Sequence, residues 1–199
     1  MNWTAVTDLG DSAVTVPVAL AIVAWLLAGR AWGSALAWLS LFGAGSFLVI
    51  GTQVAYAGWG IGMQQFDFTG ISGHSMSAAS VLSVAGYIIG SRISKSAALF
   101  AGSVGFCVGV LVGISRVILS DHSPSEVLVG CALGGSIALA TIRIIRARPK
   151  MVAAPLIFAL TILTLVFTLH GHRAPSHRFA IEVALYLSGR SAPFVREAQ

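Results

Sequence analysis

The residues best suited to chemistry in this chain stand in two short polar knots between long apolar runs. The first runs from Ser115 to Glu126, with Arg116 six residues before His122 and Glu126 four residues after it. A histidine just outside a helix start, with a carboxylate one turn on, has what a nucleophilic imidazole needs. The carboxylate holds the proton on one ring nitrogen and the other nitrogen is free to attack. Arg116 can make two parallel hydrogen bonds to phosphate oxygens, and free amides at helix starts also attract anions, so the knot is phosphate-seeking. Ser123-Pro124-Ser125-Glu126 is equally a capping box with proline at the first helical position. From spacing alone both readings of Glu126 stay open.

The second knot runs from Thr69 to His74 and heads another apolar run. Ser72 and Gly73 offer a hydroxyl and an unobstructed backbone N–H, and His74 could donate a proton to a leaving oxygen. By itself Ser-Gly-His is also what a helix cap with a histidine at a wet interface looks like. Two histidines, an arginine and a carboxylate in a charge-poor chain shift the reading, because ionisable groups near a membrane core are costly and mark function.

For the knots to meet, the elements carrying them must end on one side. Of the 199 residues 56% are hydrophobic and only 10% charged, which excludes an ordinary soluble domain and fits an all-α polytopic membrane protein. The net charge of +5 is scattered, so no nucleic-acid surface is expected. Cys107 and Cys131 fall in apolar runs and are expected as free thiols. No basic segment precedes the first apolar run, so the first helix is expected to stay rather than be cleaved as a signal peptide.

Spanning about 30 Å of hydrocarbon takes about 20 helical residues, and six candidates fit: about 13–29, 33–57, 74–91, 96–115, 124–142 and 152–170. The chain divides into an N-terminal segment 1–12, a membrane domain 13–170 and a polar tail 171–199. Seven of the twelve basic residues (Arg30, Arg92, Lys95, Arg143, Arg146, Arg148, Lys150) fall on the connections of one side, and all seven acids fall on the other with both knots. Positive residues in short loops stay cytoplasmic, so both termini and both knots are expected to face the periplasm or exterior, from a bacterial cytoplasmic membrane. Gly105, Gly109, Gly113, Gly130 and Gly134 repeat every fourth residue and are read as packing positions. The five tryptophans are read as interfacial anchors. The tail's apolar patch, 179–187, is too short to span and is expected to lie flat as a helix or to pair as a strand.

On these residues the chain resembles the type 2 phosphatidic acid phosphatases, the PAP2 superfamily. That family's Pro-Ser-Gly-His motif is similar to Ile71-Ser72-Gly73-His74, and its Ser-Arg, five residues, His, three residues, Asp motif is similar to Ser115, Arg116, His122 and Glu126, with glutamate for aspartate. The resemblance implies a six-helix bundle with its active site at the outward face. It implies a phosphohistidine on His122, oriented by Glu126, and His74 protonating the leaving alcohol. Arg116, Ser72 and Gly73 would hold the phosphate. The implied substrate is a lipid phosphate or diphosphate, such as phosphatidic acid or undecaprenyl diphosphate, and no metal or cofactor is required.

The family's first motif, Lys, six residues, Arg-Pro, has no counterpart string. Aligned on the end of the second helix, Gln53 takes the lysine position as a phosphate contact and Gly60-Ile61 the Arg-Pro position. Each lost charge-assisted contact is worth about 1.5 to 3 kcal/mol. Arg173 or Arg178, leaving the sixth helix on the same side, is expected to replace that charge. Asp67 is read as a loop hydrogen-bonding residue. Other readings are a lipid phosphotransferase using the same histidine, a non-catalytic lipid-phosphate-binding homologue, and a zinc site drawing on His122, Glu126, His170, His172 and His177. The sequence does not specify an oligomeric state.

Overall fold

Serine, glycine and alanine decide which helix lies in the middle. The structure, a computed structural model, describes residues 2–147 and 155–196. In chain order its helices are α1 (Trp3–Asp8), α2 (Ser12–Ala28), α3 (Trp32–Trp59), α4 (Gly73–Gly90), α5 (Lys95–Ile118), α6 (Pro124–Ala147), α7 (Pro155–Leu169) and α8 (Ser176–Ser188), with one 3-10 turn at Gln64–Phe66. The helix α4 packs against α2, α3, α5, α6 and α7. Two of its serines bond back to their own helix, Ser80 Oγ donating to the Met76 carbonyl at 2.8 Å and Ser83 Oγ to that of Ala79 at 2.6 Å. A helix of small residues whose hydroxyls are so satisfied can be surrounded on all sides.

The repeated glycines set how closely the neighbours approach it. A Cβ on Gly109 would stand 2.5 Å from Ala79 Cα, and one on Gly130 would stand 2.7 Å from the Ser72 carbonyl oxygen. Gly105 lies equally tight against the Leu82 backbone and Gly134 against Met76. Thus α5 and α6 clamp α4 backbone to backbone, and the Ser115–Glu126 knot joining them is held over the first turn of α4.

Four segments are long and apolar enough to cross a membrane: Trp3–Ala28, Trp32–Trp59, Lys95–Ile118 and Pro124–Ala147. The expected count was six. The third expected span is α4, in which four serines and His74 dilute the apolar residues. The sixth is α7, which at 15 residues reaches only about 22 Å at 1.5 Å per residue; residues 152–154 of that expected span lie outside the described residues. The reading of tryptophans as anchors also needs correction at Trp38. It is fully buried, donates from Nε1 to the Ala19 carbonyl at 3.0 Å and stacks on Phe42. Its neighbour Trp25 packs on Phe158 of α7, while Trp32 and Trp59 are exposed. Both cysteines are free, Cys131 buried and Cys107 on the outer surface of α5.

The N-terminal segment and the tail are not appendages. Residues Trp3–Asp8 fold as α1 against α5, and Thr7, Asp8 and Asp11 are all buried. Of the two forms expected for 179–187 the helix is found: α8 sets Ala180 and Ala184 on Val54 and Ala57 of α3, a second small core apart from the main one. Basic residues Arg30, Arg92, Lys95, Arg143 and Arg146 fall at the ends of helices opposite to the ends that carry the two knots.

Candidate active site

The site is assembled at the start of α4, the end of α5 and the start of α6. The α5 helix stops at Ile118, and the Asp121 and His122 amides both donate to the Arg116 carbonyl, at 3.0 and 3.3 Å. That turn brings His122 back over the first turn of α6. There its Nδ1 lies 2.6 Å from Glu126 Oε2. The same oxygen accepts the Ser123 amide at 3.1 Å, and the Glu126 amide meets Ser123 Oγ at 3.4 Å. The capping box and the imidazole contact are therefore one arrangement: a carboxylate fixed by the helix start is a carboxylate that cannot swing away from the histidine. His122 Nε2 has no hydrogen-bond partner among the described residues, so the pair has the form of an oriented nucleophile.

Glu126 is 0% exposed. Its Oε1 accepts the Thr69 amide at 2.6 Å, Thr69 Oγ1 at 2.6 Å, the Gly70 amide at 3.2 Å and Arg196 Nη2 at 2.6 Å. The loop before α4 thus wraps the carboxylate with backbone donors. It is pinned in turn by the Ile71 amide on Thr52 Oγ1 at 3.1 Å, by Gln53 Nε2 on the Ile71 carbonyl at 3.1 Å, and by the Ser72 amide on the Glu126 carbonyl at 3.2 Å. Gln53 accordingly turns its amide into the loop, a position different from the phosphate contact expected of it. Ser72 is the N-cap of α4, and its hydroxyl is engaged by the Ser75 amide and the Ser75 hydroxyl, the latter at 2.8 Å. Gly73 opens the first turn, where helix amides lack intrahelical acceptors.

His74 has its own carboxylate. Its Nε2 stands 3.6 Å from Asp11 Oδ2, while Asp11 Oδ1 caps α2 through the Ala13 amide at 2.8 Å and receives the Ala174 amide at 2.9 Å. Both histidines therefore face carboxylates that double as helix caps. The charges of Arg116 and His122 act on His74, which places the three in one electrostatic neighbourhood. Arg116 Nη1 binds Asp121 Oδ2 and Thr7 Oγ1, each at 3.0 Å, and its Nε is buried with no acceptor among the described residues.

The two arginines expected to replace the missing motif part company. Arg173 is within electrostatic reach of Arg116 and lies 3.6 Å from Asp8 Oδ1. Arg178 pairs with Glu182 on the exposed face of α8, away from the site. Asp67 holds Arg196, Oδ1 to Nε at 3.1 Å, a more specific role than loop hydrogen bonding. Among the described residues no three His, Cys, Asp or Glu side chains gather as a metal-binding group. Sequence reading did not single out Thr7, Asp8, Asp11, Asp121 or Arg196 for the site. Only Asp121 carried a local signal, its place inside the knot.

Residues 54–150, which contain both knots, match the family model of the PAP2 superfamily. Along its length the chain is similar to an uncharacterized 22.5 kDa protein in the cps region of Klebsiella pneumoniae, 28% identical over 205 residues that cover 98% of this chain and 96% of that protein. No solved structure matches the chain significantly. The PAP2 match suggests phosphatase activity.

Proposed function

We propose that the protein is a phosphatase that removes a phosphate from a lipid phosphate or diphosphate by way of a phosphohistidine on His122. The observation that carries this is the 2.6 Å contact between His122 Nδ1 and buried Glu126 Oε2, which leaves Nε2 without a partner among the described residues. In the first step Nε2 attacks phosphorus, the bond from phosphorus to the lipid oxygen breaks, and His74 gives its proton to that oxygen. Asp11 stabilises the imidazolium that does so. In the second step water attacks the phosphohistidine, His74 takes the water proton, and inorganic phosphate leaves. Arg116, whose buried Nε has a donor to spare, supports the phosphoryl oxygens, with the Gly73 and His74 amides at the start of α4 beside it.

The substrate side of this reading rests on position. The site lies at the end of a bundle whose outer faces are apolar, so a lipid can present its head group from the bilayer while its tails stay in it. Charge asymmetry between the two ends of the helices supports a periplasmic or exterior site in a bacterial cytoplasmic membrane, with α4 and α7 completing a six-helix bundle. One observation favours a second reading, a lipid-phosphate binder without turnover: Arg116 and Arg173 are each already paired with a carboxylate, Asp121 and Asp8.

The test is phosphate release by purified protein from phosphatidic acid, phosphatidylglycerol phosphate, undecaprenyl diphosphate and lipid A, with and without EDTA. Release that survives EDTA and is lost in His122→Ala is expected. Binding of these lipids without release, by folded protein, would replace the phosphatase by the binder.

A further inference from the structure

The tail from α8 onward crosses back over the site and delivers one side chain to it. After the Gly189 cap, Arg190 lies over the Phe194 ring at 4.1 Å, the Phe194 amide donates to the Ala57 carbonyl at 2.9 Å, and the Phe194 ring sits against Gly60. Gly60 has a φ of +69° at the end of α3, and a Cβ there would stand 3.2 Å from that ring. Two residues on, Arg196 reaches inward. Its guanidinium binds Glu126 Oε1 at 2.6 Å and Thr69 Oγ1 at 3.2 Å, and is held from outside by Asp67. The side chain is 32% exposed, whereas Glu126 is 0% exposed.

We propose that Arg196 is a positioning residue for His122, acting through Glu126: it holds Oε1 and balances the charge of the buried carboxylate, which fixes Oε2 on the Nδ1 proton and leaves the electron pair of Nε2 turned out for attack. A buried carboxylate without a counter-charge is costly to keep in place. The other donors on Glu126, from Thr69, Gly70 and Ser123, are neutral and orient the group without cancelling its charge. Without Arg196 the carboxylate loses its one charged partner and with it the fixed hold of Oε2 on the ring, so Nε2 is presented less well for attack. With Arg196 the carboxylate serves two partners, one oxygen to the guanidinium and one to the ring. Glu126 keeps its neutral donors when Arg196 is replaced, and Phe194 and α8 still dock the tail, so the variants should lose stability yet stay folded, which size-exclusion chromatography checks before each assay.

This inference rests on His122 being a nucleophile, and a chemical probe tests it apart from turnover. Full-length wild type, Arg196→Ala, Arg196→Gln and Arg196→Lys in detergent are treated with diethyl pyrocarbonate, which modifies neutral imidazole, and modification of His122 is followed by mass spectrometry with exposed His172 as the internal reference. In Arg196→Ala and Arg196→Gln, His122 should react roughly tenfold more slowly while His172 is unchanged, as expected when one partner of a buried ion pair is removed. Arg196→Lys, or guanidinium ion added to Arg196→Ala, should restore most of the rate. Equal His122 rates in wild type and Arg196→Ala, or a slow rate that neither charge restores, would overturn the proposal. In turnover by the same proteins the loss should fall on kcat, with KM held within about twofold. Wild type that shows the His122 contrast but releases no phosphate would overturn the phosphatase reading and leave the role of Arg196 standing.

Discussion

Replacing Glu126 by glutamine changes almost no volume and therefore isolates what the carboxylate does. Six contacts converge on it, four on Oε1 and two on Oε2. An amide has one oxygen and one NH2 group, so one set of donors must face another donor. The larger set claims the oxygen, which turns the NH2 toward His122 Nδ1 and the Ser123 amide. His122 can accept that hydrogen bond only by moving its proton to Nε2, the atom that has to attack. An imidazole held in the wrong tautomer costs about 10⁴-fold in kcat, about 5.5 kcal/mol at 1.36 kcal/mol per decade. Losing the charge opposite Arg196 and the acceptor for Ser123 should cost stability as well, about 3 to 5 kcal/mol for breaking a buried pair. The assay is phosphate release measured well below the melting point of the variant, with folded protein quantified by size-exclusion chromatography. Activity of folded Glu126→Gln within about tenfold of wild type would refute the orienting role and leave Glu126 a helix cap alone.

Asp11→Asn should lower kcat by about 10²-fold, the lower end of what a general acid contributes, with little change in KM, because the imidazolium of His74 loses its partner; steady-state kinetics on any accepted lipid reads this. Arg173→Ala should raise KM several-fold, whereas Arg178→Ala, whose partner Glu182 is also exposed, should change neither kinetics nor stability beyond about 0.5 kcal/mol. Gly109→Ala should push α5 off α4, since the added carbon would stand 2.6 Å from the Ala79 backbone nitrogen, and thermal melting in detergent should show a loss of about 1 to 3 kcal/mol.

The parts of the site that a single sequence reveals are those whose spacing is itself the geometry. Arg116, His122 and Glu126 lie within one helix end, one turn and one helix start, so intervals of six and four residues already place them together. The ambiguity over Glu126 arose because one oxygen serves both the helix cap and the imidazole. Asp11 and Arg196 gave no such signal. Each reaches its histidine or glutamate only through the packing of whole helices, and an acid near one end of a membrane chain looks the same whether it faces water or an imidazole. Charge near the site was expected from just after the sixth helix, at Arg173 and Arg178; the cation on Glu126 comes from beyond α8, because the docking of α8 on α3 sets which tail residue arrives. Trp38 was misjudged for a related reason. Its indole donor is satisfied by a carbonyl on the neighbouring helix, which no pattern within α3 announces.

The contacts that finish the site join residues far apart along the chain: Thr7 with Arg116, Asp11 with Ala174, Glu126 with Arg196. Local helices form early and such closures form late, because loop entropy must be overcome before the contact returns anything. The segment carrying Arg196 is held by a small apolar cluster of its own, so it can detach while the glycine-locked bundle of α4, α5 and α6 stays whole. The protein is then two layers of unequal durability. On warming or in mild denaturant, function should disappear well before helical content does, and it should return as soon as the outer layer settles back.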